Sequence, residues 1–468
     1  MFITAEVTKT LAKPVNLLYM VYDKYYPDKS CKKGESNGVL FADAVGKPVW
    51  HIWKTVNSYN NSQNIFKQSM GVLSRRKNEL LTKLDSTADS LPIMGNKVVC
   101  MRSNPPTVRD RTKTDYWSVW LPVTYKRQEV YPNAQKFIRS ILVDDEDEKK
   151  KDYSMEEREQ MKMGYFITAE TLERKFYNDT GGGANGKTAK YSILQAILGQ
   201  FYGVGHRDLF IKPSQIGQRP GAAEPHKAML RGKRLVVLPE TDEEDKINFG
   251  GMKEYVEDGN PMCRARDLYE RGVSSEFPVW AKLVACSNPP LKYDCSTGND
   301  SVAMRLEVEL HPIKFTPHQV SLPNHRKGDL HFVDSLRNEH LSEFFSYCVD
   351  GASKWYAAGR LPEHAKISAA TNKIIAQNDT VTAFIEAELV EDEKEHVETQ
   401  NVYGRYSFWG QNNSERELLI FNTFIREMAR RFVKKQSKVK GVKATRFWGF
   451  RLKTDAEKME EEDSVPIR

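Results

Sequence analysis

The chain has 468 residues, of which 40% are hydrophobic and 28% are charged, and its net charge at pH 7 is +7. This length suffices for about two to four globular domains. No run of about 18 apolar residues predicts a membrane span, and the N-terminus lacks the pattern of a secretory signal. The cysteines are scattered without a C-x-x-C pair, which indicates a reducing intracellular location and no structural zinc.

Residues 1 to about 90 carry no recognisable chemistry. Residues 1–90 are predicted to be mainly helical, and their position suggests an oligomerisation collar. From residue 91 to about 125 the pattern changes to short strands, with apolar positions at Val98, Val99, Cys100, Trp117, Val119, Leu121 and Val123. Residues 144–152 are too polar for a core, so we predict an exposed loop or insertion there.

A glycine-rich stretch at residues 181–188 fits the phosphate-loop pattern G-x-x-x-x-G-K-[ST] at every fixed position. Glycines let backbone N–H groups turn inward around an anion. Lys187 is expected to reach the β- and γ-phosphates, and the Thr188 hydroxyl to bind Mg²⁺. The predicted ATP-binding residues are Gly181, Gly182, Gly183, Ala184, Asn185, Gly186, Lys187, Thr188 and Ala189.

A buried helix is predicted to follow this loop, because apolar residues recur every three to four positions. Its N-terminus would add partial positive charge to the site. The residues of this pattern are Ala189, Ile193, Leu194, Ile197, Leu198 and Phe201.

Two later apolar runs predict buried strands of a parallel sheet, at residues 234–238 and 282–288. The first is followed by acidic residues, of which Glu240 is the predicted catalytic carboxylate and Asp242 a further Mg²⁺ ligand. The second ends at Asn288, which is either a turn-starting residue before proline or a sensor of the γ-phosphate. Together these features predict a P-loop α/β ATPase that uses ATP and Mg²⁺.

The C-terminal region is basic. Between Arg426 and Lys453 there are eleven Lys or Arg residues and one acidic residue, Glu427. Aromatic residues are interleaved with them, a combination that favours nucleic-acid binding. The alternative, a solvated charged face, stays open on composition alone.

The set of motifs, taken in order over about residues 90–453, resembles the superfamily III helicases. More narrowly, it resembles the helicase part of the primase–helicases of poxviruses, other large DNA viruses and phages. The matching segments begin at Gly164, the phosphate loop, Leu230, Gly259, Ser287 and Arg305, and they continue with the connector 355–384 and the aromatic positions Tyr403, Tyr406, Trp409 and Phe447–Leu452.

This resemblance implies an AAA+-like ATPase core, a helical connector and a C-terminal winged-helix domain. It also implies a hexameric ring that moves 3′-to-5′ on single-stranded DNA at a viral replication site in the host cytoplasm or nucleus. Glu240 would activate water, Asn288 would sense the γ-phosphate, and Arg305 would be an arginine finger that reaches the neighbouring subunit's ATP.

The resemblance further implies DNA-contacting loops that carry Lys253, Arg264 and Arg266, and we add Lys443 and Arg446 of the basic C-terminal domain as candidate DNA contacts. Three features depart from the family pattern. Pro239 precedes Glu240, Arg305 has no second arginine beside it, and no pair of metal-binding acids marks a primase in residues 1–90. We therefore expect no primer synthesis, although a separate primase or polymerase is a possible partner.

The predicted organisation divides the chain at residues 1–90, 91–150, 151–320 (ATPase core), 321–380 (connector), 381–453 (winged helix) and 454–468 (acidic tail). Two other functions share the ATP site. One is a P-loop ATPase for DNA packaging or protein remodelling, and the other is an ATP-switched DNA-loading scaffold without significant hydrolysis.

Overall fold

The computed structural model describes residues 83–211, 224–238, 246–257, 261–265, 275–288, 292–293, 299–318, 322–329, 331–413, 418–439, 441–454 and 456–457. The chain divides into two units, Met1–Thr87 with Thr112–Trp120 and Ala88–Arg111 with Leu121–Arg468. In the described part of the first unit, the Asp85 carboxylate accepts hydrogen bonds from the Ser118 backbone N–H and hydroxyl. The helices expected for residues 1–82 lie outside the described residues.

The secondary structure alternates between strands and helices through most of the second unit. The strands are β1 Ser90–Ile93, β2 Lys97–Cys100, β3 Thr107–Asp110, β4 Phe176–Thr180, β5 Tyr202–Val204, β6 Leu235–Leu238, β7 Lys246–Ile247, β8 Met262–Ala265, β9 Ser275–Pro278, β10 Lys282–Ser287, β11 Lys292–Tyr293, β12 Leu306–Leu310, β13 Lys314–Thr316, β14 His325–Lys327, β15 Leu389–Glu398, β16 Val433–Val439 and β17 Val442–Leu452. The α-helices are α1 Pro132–Leu142, α2 Asp145–Lys150, α3 Ser154–Ile167, α4 Lys187–Leu198, α5 Arg207–Phe210, α6 Pro225–Ala228, α7 Phe249–Met252, α8 Asn299–Arg305, α9 Phe332–Asn338, α10 Leu341–Ala358, α11 Ala365–Asn378, α12 Thr380–Glu388, α13 Thr399–Asn413 and α14 Phe421–Arg431.

A five-stranded sheet forms the centre of the second unit, with the strand order β12-β4-β10-β6-β5. Every neighbouring pair in this sheet is parallel. Numbered along the chain, the spatial order is 5-1-4-3-2. The carboxyl ends of these strands therefore meet at one edge, where ligands bind in open parallel sheets.

The two predicted strands at residues 234–238 and 282–288 are confirmed as β6 and β10, which pair in parallel. All four residues of β6 and all six of β10 are buried. A parallel sheet covered on both faces requires such continuous apolar runs. The α/β fold class that the sequence predicts is therefore confirmed.

Helix α3, which precedes β4, packs closely on α10. A Cβ atom at Gly164 would lie 2.1 Å from the backbone nitrogen of Ala352, so only glycine fits there. The Tyr165 and Trp355 rings lie 4.8 Å apart across the same contact. Gly164 thus allows the close packing of α3 on α10.

The C-terminal elements follow the order helix–strand–helix–helix–strand–strand, from α12 to β17. Their strands form an antiparallel sheet in the order β15-β17-β16. The Asp379 carboxylate caps α12 by accepting from the N–H groups of Val381 and Thr382. Buried aromatic side chains fill the centre of this region: Phe384, Tyr406, Phe424, Phe447 and Phe450.

Two local predictions were wrong. Residues 145–150 form helix α2 instead of a loop, because the Asp144 carboxylate accepts from two N–H groups and Lys366 neutralises Asp144 and Asp147. Residues 117–123 form no strand, although Leu121 and Val123 are buried. The Leu121 N–H donates to the Pro92 carbonyl, and the Val123 carbonyl accepts from the Met94 N–H. These two hydrogen bonds do not form a strand ladder.

Among the described residues, no helix is both long enough and apolar enough to cross a membrane.

Candidate nucleotide-binding site

The glycine-rich loop connects β4 to α4 at the carboxyl edge of the central sheet. Gly186 ends the loop with φ of +83°, a conformation that side chains disfavour. A Cβ atom there would also lie 2.4 Å from Ile141. The predicted helix follows as Lys187–Leu198, and this prediction is confirmed.

Lys187 and Asn288 meet above the loop, although they lie 101 positions apart in the sequence. The Lys187 ammonium donates to the Gly181 carbonyl at 3.0 Å and to the Asn288 side-chain oxygen at 3.1 Å. The lysine side chain is 5% exposed, so its charge is directed into the site instead of outward.

The strand register explains this meeting. Thr180 of β4 lies opposite Ser287 of β10, so the residues that follow both strands emerge side by side. The Gly181 N–H donates to the Ser287 carbonyl at 3.3 Å, which joins the start of the loop to the neighbouring strand. Asn288 is thus positioned by a parallel pairing, which sequence spacing alone could not establish.

A pocket of about 310 Å³ lies over the loop. Asn185 is 4% exposed, and its Nδ2 atom is buried without a hydrogen-bond partner within the described ranges. The pocket is lined by Gly183, Ala184, Asn185, Gly186, Lys187, Thr188, Ala189, Cys286, Asn288 and Phe315.

Two lining residues were missed by the sequence analysis. The Phe315 backbone N–H donates to the Ala184 carbonyl at 2.7 Å and so supports the loop from the β12–β13 side. Burial raises the pKa of the Cys286 thiol to about 12, so this cysteine is a neutral wall of the pocket. Neither residue belongs to a pattern that marks a phosphate site.

Glu240 and Asp242 lie outside the described residues. The last residue of β6, Leu238, pairs with Ala285 of β10. Strand β6 therefore ends toward the edge of the sheet that carries the loop.

Arg305 lies at the opposite edge of the sheet from the loop of its own chain. It ends α8, and the next residue, Leu306, pairs with Phe176 at the start of β4. Its guanidinium lies 2.6 Å from the Glu257 carboxylate, which also contacts Arg174 at 2.8 Å. The Arg305 side chain is 12% exposed.

The candidate DNA contacts between β6 and β10 lie in different settings. Lys253 is half-buried in a short 3-10 turn, and Arg264 is exposed on β8, opposite Glu276 of β9. Arg266 lies outside the described residues.

The two C-terminal candidates also differ. Lys443 is exposed near the turn of the β16–β17 hairpin, opposite Lys438. Arg446 is 4% exposed, and its guanidinium donates to the Ser437 carbonyl and contacts Glu398 at 2.5 Å. Since protein groups already bind this guanidinium, we do not propose Arg446 as a DNA contact.

A buried charged network beneath the loop was not predicted. It joins β4, α4, α3 and β12 through contacts of 2.5–3.5 Å. We call it the buried charge network, and its members are Glu159, Lys162, Asp179, Lys190, Glu309 and His311. Each of these side chains is at most 3% exposed.

The ionisation of this network follows from its composition. Burial alone would raise the pKa of Asp179, but Lys162 and Lys190 hold it well below its usual range. The pKa of Glu309 is likewise lowered by the two lysines against the effect of burial. Burial and the nearby Glu309 charge raise the pKa of Glu159 to about 7.

The fold and the loop together define an α/β protein with a phosphate-loop geometry at the carboxyl edge of a parallel sheet. This chain is similar to a viral protein named as a helicase, which agrees with the resemblance seen in the sequence. It is 27% identical over 227 residues to a putative helicase of Acanthamoeba polyphaga mimivirus. The matched stretch spans 46% of this chain and 21% of that relative.

No family model matches the chain. Among solved structures, the apo C-terminal region of NrS-1 matches with a TM-score of 0.41 and 12% identity, over 70% of this chain and 77% of that one. A complex of the JCV helicase with a small molecule matches with a TM-score of 0.24 and 13% identity, over 55% and 64% of the two chains. Both scores are low, so the fold is defined here by the strand order of this chain itself.

Proposed function

We propose that this protein is an ATP-dependent DNA helicase or translocase of viral or phage DNA replication. One observation carries the proposal: Lys187 of the glycine loop and Asn288 of the adjacent strand converge over one pocket. A lysine and an amide at the carboxyl edge of a parallel sheet are placed to bind the terminal phosphates of ATP. The similarity to the mimivirus relative supports the choice of a helicase.

Mg²⁺ fits the chemistry of the same site. Thr188 lines the pocket, and Glu240 and Asp242 follow the strand next to β10 in the sequence. When bound, the ion would neutralise charge on the phosphates. In this proposal Thr188, Glu240 and Asp242 hold it, and Glu240 also polarises the attacking water.

Arg305 cannot serve the ATP site of its own chain. The loop begins at Gly181, five residues along β4 from Phe176, which pairs with Leu306, the residue after Arg305; this is a separation of roughly 16 Å at about 3.3 Å per residue. We therefore propose that Arg305 acts on the nucleotide of a neighbouring copy, which requires a ring, by resemblance a hexamer. Release from Glu257 would precede that contact.

DNA binding is assigned to two regions. Lys253, Arg264 and Arg266 would contact single-stranded DNA in the ring's pore, and exposed Lys443 would contact it from the C-terminal domain. The helix–strand–helix–helix–strand–strand order of that domain, with its antiparallel sheet, supports a winged helix. The proposed 3′-to-5′ direction and a separate primase or polymerase partner rest on the family resemblance.

Steady-state ATP hydrolysis with and without single-stranded DNA tests this function. Lys187→Ala should abolish turnover, and Lys149→Ala, which changes an exposed lysine of α2, is the matched control. DNA-stimulated turnover that is lost only in Lys187→Ala supports a DNA-coupled motor. Turnover that is the same with and without DNA would contradict the proposal and favour the packaging or remodelling ATPase.

A second variant separates the motor from the scaffold. In a motor, Glu240→Gln should bind ATP and stall because the attacking water is no longer activated. Absence of turnover in the wild type, measured in a demonstrated oligomer that still binds ATP, would favour an ATP-switched scaffold.

A further inference from the structure

The buried charge network surrounds the two ends of the phosphate loop. Asp179 lies on β4, two residues before the loop begins at Gly181. Lys190 lies on α4, three residues after Lys187. The Lys190 ammonium lies 2.5 Å from the Asp179 carboxylate, so this ion pair closes across the loop.

Further contacts hold both partners of this pair in place. The Tyr191 hydroxyl donates to Asp179 at 2.8 Å, and Lys190 also donates to Glu159 and Glu309 at 3.0 Å. Lys162 lies 2.8 Å from Glu309 on the other side. Strand β4 and helix α4 are thereby connected by charged groups as well as by the loop itself.

The apex of the loop has little packing of its own. A Cβ atom at Gly182 or Gly183 would meet no described atom within 4 Å. The shape of the loop therefore depends on how its two ends are held. An anion site made of backbone N–H groups binds best when those groups are fixed before the ligand arrives.

We propose that Asp179 and Lys190 are positioning residues that hold the phosphate loop in its nucleotide-binding shape through an ion pair across its base. This inference rests on the proposed function, namely that the loop binds a nucleotide. Neither residue lines the pocket, so their effect on binding is exerted through the loop.

A metal ion is the alternative occupant of this cluster. Asp179, Glu309 and His311 offer potential ligand atoms within 4.8 Å of one another. However, the Lys162 and Lys190 ammonium groups already lie 2.5–3.5 Å from the two carboxylates. A cation would have to displace both, so we interpret the cluster as an ion-pair network.

The chain offers a matched control for the test. Arg158 and Glu307 form another buried ion pair between α3 and β12, with a contact of 2.8 Å and side chains 5% and 9% exposed. Glu307 lies opposite Tyr177, three positions before the end of β4. Breaking this pair disturbs α3 and β12, which also carry members of the buried charge network, without touching the loop.

The experiment measures the dissociation constant of Mg-ADP by titration calorimetry, with urea unfolding in parallel. Lys190→Met should weaken binding by about tenfold or more, equivalent to the loss of about 1.4 kcal/mol. Tyr191→Phe removes one hydrogen bond to Asp179 and should weaken binding by about fivefold. Arg158→Met should lose stability but bind Mg-ADP as the wild type does.

The outcomes separate this inference from the proposed function. If the wild type binds Mg-ADP and folded Lys190→Met and Tyr191→Phe bind it equally well, the positioning role is wrong and the nucleotide site stands. Should Lys190→Met not fold, Tyr191→Phe decides. If the wild type binds neither Mg-ADP nor Mg-ATP, both proposals are overturned.

Discussion

Two lysine-rich regions of this chain use the same charge in opposite ways. Around the phosphate loop, Lys162, Lys187 and Lys190 are buried, and the first and last are paired with carboxylates. In the β16–β17 hairpin the lysines are exposed to solvent: Lys434, Lys435, Lys438 and Lys443.

This difference shows that burial determines what a cation can do. A buried lysine needs polar partners, which are carboxylates for Lys162 and Lys190 and the Gly181 carbonyl and Asn288 amide oxygen for Lys187. Removing one partner of a buried ion pair leaves an uncompensated charge, so such residues fix geometry. An exposed lysine contributes little to stability but attracts an anionic polymer over a distance set by the salt concentration. We therefore assign the first region to holding the nucleotide and the second to holding DNA.

Arg446 and Lys443 repeat this contrast within one strand. On β17 the Arg446 guanidinium is buried against Glu398, whereas the Lys443 side chain, three positions earlier, is exposed. The composition of the basic segment does not distinguish these two cations, whereas the structure shows that their environments differ.

The largest effect we expect is on stability. Lys190→Met leaves Asp179, Glu159 and Glu309 without one of their two lysines and should lower the free energy of unfolding by about 3–5 kcal/mol. Lys443→Met should change it by less than about 0.5 kcal/mol. Urea unfolding of both variants measures these changes. Equal losses in the free energy of unfolding would contradict the contrast between buried and exposed lysines.

The pH dependence of stability sharpens the account of the buried network. The Glu159 pKa is about 7 in the folded chain and about 4.3 when unfolded, so the folded state binds the proton more tightly. Stability from this group is therefore complete below about pH 4 and decreases as pH rises to about 7, by roughly 4 kcal/mol at most.

Glu159→Gln removes this titration and is the control for it. Urea unfolding from pH 5 to pH 8 should show a smaller decrease in the variant than in the wild type. Parallel curves would mean that Glu159 remains ionised throughout that range.

Arg446→Gln should act as a structural change. Loss of the buried guanidinium leaves Glu398 and the Ser437 carbonyl without their donor, which we expect to cost about 1–3 kcal/mol of stability. Lys443→Gln should leave stability unchanged and weaken DNA binding. Thermal unfolding and fluorescence anisotropy on both variants test the assignment, and the reverse pattern would refute it.

The smallest effect per residue should appear in the salt dependence of DNA binding. Replacing Lys434, Lys435, Lys438 and Lys443 with Gln should flatten the slope of log K against log salt by about 0.7 for each lost contact with single-stranded DNA. Anisotropy titrations at several salt concentrations measure this slope. An unchanged slope would locate the DNA contacts elsewhere.

The parts of the fold that sequence could predict depend on apolar continuity and fixed motifs. Strands β6 and β10 are buried on both faces and read as unbroken apolar runs, and the loop pattern locates α4. For the site, the sequence placed Lys187 in the loop, and the parallel register then showed why Asn288 lies beside it.

The buried charge network could not be predicted for a physical reason. Glu307 and Glu309 alternate with Leu306 and Val308, a pattern typical of a strand with one wet face. In the structure both faces of β12 are covered, and the two glutamates are paired with Arg158 and with Lys162 and Lys190. Because the charged partners lie on separate helices and strands, no short stretch of the sequence indicates that they pair.

The most direct test of the whole account is ATP turnover measured against the concentration of single-stranded DNA, for the wild type and the variant with Lys434, Lys435, Lys438 and Lys443 changed to Gln. We predict stimulation in both, with equal basal rates and a higher DNA concentration for half-maximal stimulation in the variant. Wild-type turnover that does not respond to DNA at any concentration would contradict the proposal that the loop powers movement on DNA.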